Sequence, residues 1–270
     1  MCTPQQLVTE LDPAGAGNWQ GAYSNTSRTR WYVPEAKAAE GREDTVLHEF
    51  DGNRVPLGTM RLQAEAGTKL HLTGMGVEDD GTLWFDRHNA AGVSDIVTVP
   101  YVRGTVALAS QAKPVKLNLP GMVQVGLSPT KTRLVGRRIQ GSSEKGTDTF
   151  TRRATADVRN GVDRIFGVPV VVERRPDRVV QGFGMTDYEL YVCTGLSPYP
   201  PRIEHYSMRT GELMCITPAE QYGVLASDRL LWTWHELEGM QGDLVGVKLG
   251  TGVSRRLRVV RHRCACLAVA

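Results

Sequence analysis

An all-β fold built from a repeated four-stranded unit is what this sequence predicts, on three observations. Short runs alternate apolar and polar residues with period two, and turn residues recur about every ten positions. No segment longer than about ten residues carries the period of an amphipathic helix. Finally, "DYELYVCTGLSPYPPRIEHYSMRTG", opening at Asp187, recurs without a gap 41 residues later as "DRLLWTWHELEGMQGDLVGVKLGTG", opening at Asp228. Self-similarity at such a period, with four strands per unit, specifies a β-propeller.

The repeat is defined by fixed offsets from its leading Asp. A Leu stands three places on (Leu190, Leu231), an aromatic four places on (Tyr191, Trp232), and the Gly of a Thr-Gly turn 24 places on (Gly211, Gly252). Ile203 and Tyr206 match Leu244 and Val247 between them. A third copy, "DGTLWFDRHNAAGVSDIVTVPYVRG", opens at Asp80: Leu83, Trp84, Ile96, Val99 and Gly104 fall at the same offsets, and Asp95 matches Asp243. Two weaker copies complete the series. In one, the strand Arg30 to Val33 leads through the polar insertion "EAKAAEGRE" into Thr45 to Phe50; in the other, the strand around Leu134 leads through "QGSSEKGTD" into Thr147 to Arg152.

Each copy is preceded by a short apolar run, and these first strands begin near residues 19, 69, 121, 179 and 221. The expectation is a single domain over residues 1–270, a propeller of five four-stranded blades. Six is the alternative, with residues 160 to 178 and their run "VPVVVERRPDRVV" forming an abbreviated blade. The terminal runs "QQLVTEL" and "CACLAVA" are left over as strands, and pairing one of them into a terminal blade would close the ring and remove exposed edges. Trp84 and Trp232, at one repeat position, are expected to fill the wedge between neighbouring blades.

Composition bounds the function. The chain has 270 residues, 41% hydrophobic and 23% charged, with a net charge of +3, too mild a basic balance to point to nucleic acid. It holds no apolar run of about 18 residues that would cross a bilayer, so no membrane role is expected. The N-terminal "MCTPQQLVTELD" lacks the basic and apolar regions of a secretory signal, which leaves the location as cytoplasmic or open. Five cysteines, at 2, 193, 215, 264 and 266, include no C-x-x-C pair and read as reduced, with Cys193 and Cys215 as small apolar residues inside strands.

Three stretches carry resemblances. "VGLSPTKTRLVG" resembles the Ser-Pro signature of TolB-like propellers, and "GVEDDGTLWFDRHN" resembles the blades of NHL and streptogramin-lyase-like propellers. "ELYVCTGLSPYPPRIEHYSMRTGEL" is similar to late blades of the prolyl oligopeptidase propeller. What they imply is a fold, since propellers host unrelated activities. Prolyl oligopeptidases keep their nucleophile in a G-x-S-x-G elbow, which this sequence lacks, and the Glu, Asn and Asp set of the metal-lactonase relatives finds no residue-by-residue match.

P-loop, Rossmann and H-E-x-x-H signatures are also lacking; "HELEG" has no second His. The candidate site therefore follows from topology. Loops joining second to third strands gather at one rim, and they are expected to carry Asp86, Arg87, His88, Arg138, Tyr199, Trp234, His235 and Glu236, beside Glu35, Asn89, Arg137 and Glu238. Asp86 with His88, and His235 with Glu236, are natural pairs for acid–base chemistry or metal ligation, because a carboxylate orients an imidazole that titrates near neutrality.

The leading expectation is a non-enzymatic binding or assembly protein that docks a protein partner or a polar small ligand on a propeller face. No cofactor is expected, with a divalent cation in the channel left as an option. The alternative is a small hydrolase or lyase acting on a glycan or other polar substrate at the central pocket. That would need two carboxylates roughly 5 to 9 Å apart, from among Asp86, Glu236, Glu238, Glu78 and Asp79. Acidic side chains from several blades at the channel mouth would favour the enzyme.

Overall fold

The computed structural model describes the chain except for residues 1–2, 12–17, 20–22, 28, 54, 71, 73, 89–93, 118, 120, 143–144, 196–198, 200–201, 219–222, 228–229, 237–256 and 264–270. After β1 (Thr3–Leu11) come β2 (Asn18–Trp19), β3 (Tyr23–Ser24), β4 (Arg30–Ala39), β5 (Arg42–Asp51) and β6 (Pro56–Gln63), which make up most of a six-stranded sheet. The next sheet, sheet II, uses β7 (Gly76–Val77), β8 (Thr82–His88) and β9 (Ser94–Pro100). The chain then sends β10 (Val106–Leu108) back to pair in parallel with β6 before β11 (Lys113–Pro114) completes sheet II.

Sheet III contains β12 (Met122–Leu127), β13 (Arg133–Gly141), β14 (Gly146–Ala154) and, after the short helix α1 (Thr155–Asn160), β15 (Val170–Arg174). Sheet IV is the meander β16 (Val180–Met185), β17 (Glu189–Thr194), β18 (Arg202–Ser207) and β19 (Leu213–Pro218). The closing sheet joins β20 (Gly223–Ser227), β21 (Leu230–Glu236) and β22 (Leu257–Arg263) to β1, in the order β1-β22-β21-β20. For β1, β2 and β20 to β22 the description is of the backbone. Among the described residues, no helix is long and apolar enough to cross a membrane.

The fold is an all-β propeller, closed by the N-terminal run "QQLVTEL" as the outer strand β1, antiparallel to β22. The expected five, or six, four-stranded blades are not found: four sheets are four-stranded blades, and the first repeat belongs to the six-stranded sheet. Two physical reasons account for it. β4 is ten residues long, enough to pair with β2 at Glu35 and Ala36 and with β3 at Trp31 and Tyr32. The outer edge of β6 is meanwhile covered by β10 rather than left open.

Three smaller expectations also change. "EAKAAEGRE" is strand rather than loop, because β4 and β5 stay paired down to Ala39 and Arg42 across a two-residue turn. The run "VPVVVERRPDRVV" adds no blade; its β15 pairs with β14 as the fourth strand of sheet III. In the last repeat, β21 pairs with β22 at Leu257–Arg263, so the gapless alignment to Leu244 and Val247 does not give the partner strand. Residues 244–247, like the run "CACLAVA", lie outside the described residues.

The core is packed between sheets. Trp84, wholly buried, lies with Ile96, Val125, Leu127, Leu134 and Val158, joining sheets II and III as the repeat position predicts. A second cluster runs from Val135, Phe150 and Val170 in sheet III to Phe183, Leu190 and Tyr206 in sheet IV, with Phe150 and Phe183 edge to face at 5.3 Å. A third joins Tyr32, Leu47 and Met60 of the six-stranded sheet to Val77, Leu83 and Phe85 of sheet II. Close approach of the inner strands depends on Gly76, where an added Cβ would lie 2.3 Å from Leu127 Cγ.

Candidate functional site

Among the described residues, the inner strands enclose a small cavity. A cavity of about 20 Å³ is lined by Tyr23, Met75, Val77, Val125, Leu127, Phe183 and Met185, with glycines 74, 76, 126 and 184 and with Ser24 and Lys131. Room for about a single water remains. None of the expected acidic candidates is in this lining.

Most of the described candidates lie in the second strands, as strand rather than as loop. Cross-strand pairing carries β8 through Asp86, Arg87 and His88, opposite Ile96, Asp95 and Ser94. Arg137 and Arg138 lie within β13, Glu35 within β4, and Trp234, His235 and Glu236 within β21. Tyr199 is in the connection between β17 and β18 and is 41% exposed. Arg138 is exposed. The side chains of His88, Trp234, His235 and Glu236, and residues 89 and 238, lie outside the described residues.

Burial decides what Asp86 and Arg87 do. Asp86 is buried, and its charge helps hold the neighbouring Arg137 in ionised form. Arg87 donates to the carbonyls of Ala109 and Ser110, at 3.0 Å each, and pairs with Asp95 at 3.1 Å. It thereby pins the 3-10 turn Ala109–Gln111 beside its own sheet.

Beneath the rim, several buried carboxylates are held by arginines. In sheet III, wholly buried Asp148 accepts from Arg137 Nε at 2.8 Å and from Arg174 Nε at 2.8 Å, while Arg137 Nη1 donates to Gln124 at 2.6 Å. Burial pulls the Arg137 guanidinium below its ordinary range, and the Asp148 carboxylate opposes that shift. Sheet IV repeats the arrangement with Glu204, which accepts from Arg178, Arg202, Thr194 and Tyr206. Burial pushes the Glu204 carboxyl up, but these partners outweigh it and leave it below the usual range.

In the six-stranded sheet, Asp44 takes Arg61 at 2.6 Å and Arg42 at 2.9 Å, and Glu35 takes His48 at 2.8 Å with Lys37 beside it. Both carboxyls are raised by burial and lowered further by these partners, for a net fall. Asp44, Asp148 and Glu204 were not singled out from sequence. The available signal was an acid on a third strand with an arginine in or near an outer strand.

The first-to-second-strand turns make the opposite end. Thr26 N–H donates to Asp79 at 2.7 Å, Thr26 hydroxyl to Pro129 carbonyl at 3.0 Å, and Thr130 hydroxyl to Asp187 at 2.7 Å, linking the six-stranded sheet, II, III and IV. Glu78 pairs with Arg159. Asp79 lies in the turn before β8 and Asp86 four residues into that strand, roughly 13 Å from its start, beyond the spacing a glycosidase pair requires. Cys193 is reduced and buried as expected, whereas Cys215 is disulfide-bonded, which overturns its reading as a reduced core thiol.

No protein-family model matches the chain, and no curated protein sequence does. Among solved structures it is similar to the tail fibre of Staphylococcus aureus phage P68, with TM-score 0.67 and 15% identity, over 95% of this chain and 52% of that one. It is also similar to a TolB from Agrobacterium tumefaciens (TM-score 0.48, 12% identity, 82% of this chain and 70% of that one). A further likeness is to the β-propeller domain of the Trilobed protease from Pyrococcus furiosus (TM-score 0.41, 10% identity, 78% of each chain). The chain spans about half the length of the tail fibre. These likenesses are of fold alone.

Proposed function

We propose that this chain is a non-enzymatic binding or assembly module that docks a protein partner through the rim where its second strands end. The observation that carries this reading is the small size of the cavity between the described inner strands, whose lining is apolar side chains and glycine with Ser24 and Lys131. A ligand large enough to be recognised would have to bind outside it. Arg138 and Tyr199, both exposed, are the proposed contact residues, together with His88 and the end of β21 at Trp234, His235 and Glu236. Asp86 and Arg87 support that rim from beneath. A phage tail fibre that shares the fold over nearly the whole of this chain is consistent with a part in a larger assembly.

The test is photo-crosslinking in source cells, with a benzophenone side chain at position 199 and, as a control, at position 188. Tyr188 is 74% exposed but lies at the opposite, turn-bearing end. A discrete protein adduct from position 199 and none from 188 supports the reading. An adduct from 188 alone, or from neither, overturns it.

A further inference from the structure

Sheet III pairs its buried arginines with carboxylates, with one exception. Arg137 and Arg174 share Asp148, and Arg153 sits on Asp163 at 2.7 Å. Arg152 is 8% exposed and has no ion pair among the described residues. Its Nη1 donates to the carbonyl of Asp187, while its Nε, also buried, meets no acceptor. A buried cationic N–H without an acceptor is costly, so the position calls for an anion.

A second unpaired cation stands beside it. Strand pairing sets Arg152 opposite Val135, and Arg133 lies two residues before Val135, so both arginines project from the face of sheet III that packs on sheet IV. Arg133 is half-buried, with its guanidinium 4.7 Å over the ring of Phe166, and among the described residues it has no ion pair either. Burial pulls the Arg152 guanidinium below its ordinary range and the charge of Arg133 pulls it further, with Asp187 and Tyr188 opposing. The Asp187 carboxylate is held by the Thr130 hydroxyl at 2.7 Å instead. On the solvent side, Gly167 is exposed and carries no side chain to cover the guanidinium: a Cβ there would lie 3.3 Å from Arg152 Nη2.

We propose that Arg133 and Arg152 form a binding site for a phosphate group at the junction of sheets III and IV. The two guanidiniums carry two positive charges close enough to repel each other, which a phosphate dianion neutralises and a single carboxylate does not. Their planar forks match pairs of phosphate oxygens. Phe166 takes one face of Arg133, which leaves its N–H edge for the anion. The group is carried either by the free ion or by a phosphomonoester. The inference does not rest on the docking reading.

The experiment follows thermal melts of the full chain in sodium phosphate from about 0.1 to 50 mM, with chloride holding the ionic strength constant. Arg133→Met, Arg152→Met and, as a control, Arg175→Met, whose arginine is exposed, are run beside it. The parent and Arg175→Met should show a saturable rise in Tm with a midpoint on the order of 1 mM. Arg133→Met should weaken that midpoint at least about tenfold, and Arg152→Met should abolish the response. Because Arg133 is half-buried, its variant reads the site even if Arg152→Met does not fold. The same titration with phenyl phosphate separates the sources: a lower midpoint assigns a phosphomonoester, an equal or higher one the free ion, and either supports the site. A Tm that follows ionic strength alone, or an equal phosphate response in the parent and Arg133→Met, overturns the proposal.

Discussion

Arg137 and Arg174 meet on the single carboxylate of Asp148, each through its Nε at 2.8 Å, and all three side chains are buried. The clamp ties β13, β14 and β15 of sheet III together below the proposed rim. Removing one member of such a set costs more than the set contributes, because it strands buried charge. Asp148→Ala should therefore destabilise the fold by about 3–5 kcal/mol. Urea denaturation of the variant and of Arg137→Met/Asp148→Leu/Arg174→Met checks this: the triple variant should recover much of the loss.

His205 sets an acid limit. It is 2% exposed and edge to face with Tyr191 at 4.7 Å, and burial pulls its imidazole down to about 4 from 6.5. Between those values the unfolded chain binds the proton and the folded chain does not, so stability falls as pH drops from about 6.5 to 4. The fall is on the order of 3 kcal/mol. His205→Phe should flatten that part of a stability-against-pH curve; an unchanged slope would remove His205 as its cause.

Lys131 acts in the opposite window. Burial holds its folded value near 8, below its ordinary 10.5, so the unfolded chain holds the extra proton between them. This group's contribution makes stability rise with pH from about 8 to 10.5. Thermal melts of Lys131→Met across that range should lack the rise seen in the parent chain.

Gly167 fastens sheet III to sheet IV. Its φ is 78°, and an added Cβ would stand 1.8 Å from Met208 carbonyl oxygen, which accepts from Val168 N–H. Gly167→Ala must move the backbone as well as accept a left-handed alanine, the latter alone worth roughly 1–2 kcal/mol. Faster hydrogen exchange at residues 207–211 in the variant, with the six-stranded sheet unaffected, is the expected result.

Much of the fold was legible because the repeat marks buried positions. Leu83, Leu190 and Trp84 are wholly buried and Tyr191 nearly so, and an inward-facing residue must recur at one offset in each unit. The six-stranded sheet was not legible: β10 pairs with β6 across some forty residues, and nothing local in Val106-Ala107-Leu108 marks that destination. The candidate site was legible by place and not by role. Asp86 and Arg87 do stand at the end of a second strand, yet burial and pairing with Asp95 make Arg87 a fastening. Asp148 and Glu204 escaped notice because a carboxylate inside a strand looks like a solvent-facing one until Arg174 and Arg178, each 26 residues from the carboxylate it meets, are brought beside it by strand pairing or by the turn into the next sheet.

The most direct test compares the rim with the channel. Native complexes would be purified from source cells on the parent chain, on Arg138→Glu/Tyr199→Ala, and on Val125→Ile, which adds a methylene at the channel lining, and their components quantified by mass spectrometry. The account predicts that the rim variant loses the crosslinked partner at least about tenfold, a loss of roughly 1.4 kcal/mol or more in binding, while Val125→Ile retains it. Retention by the rim variant together with loss in Val125→Ile would contradict the account and return the function to the channel.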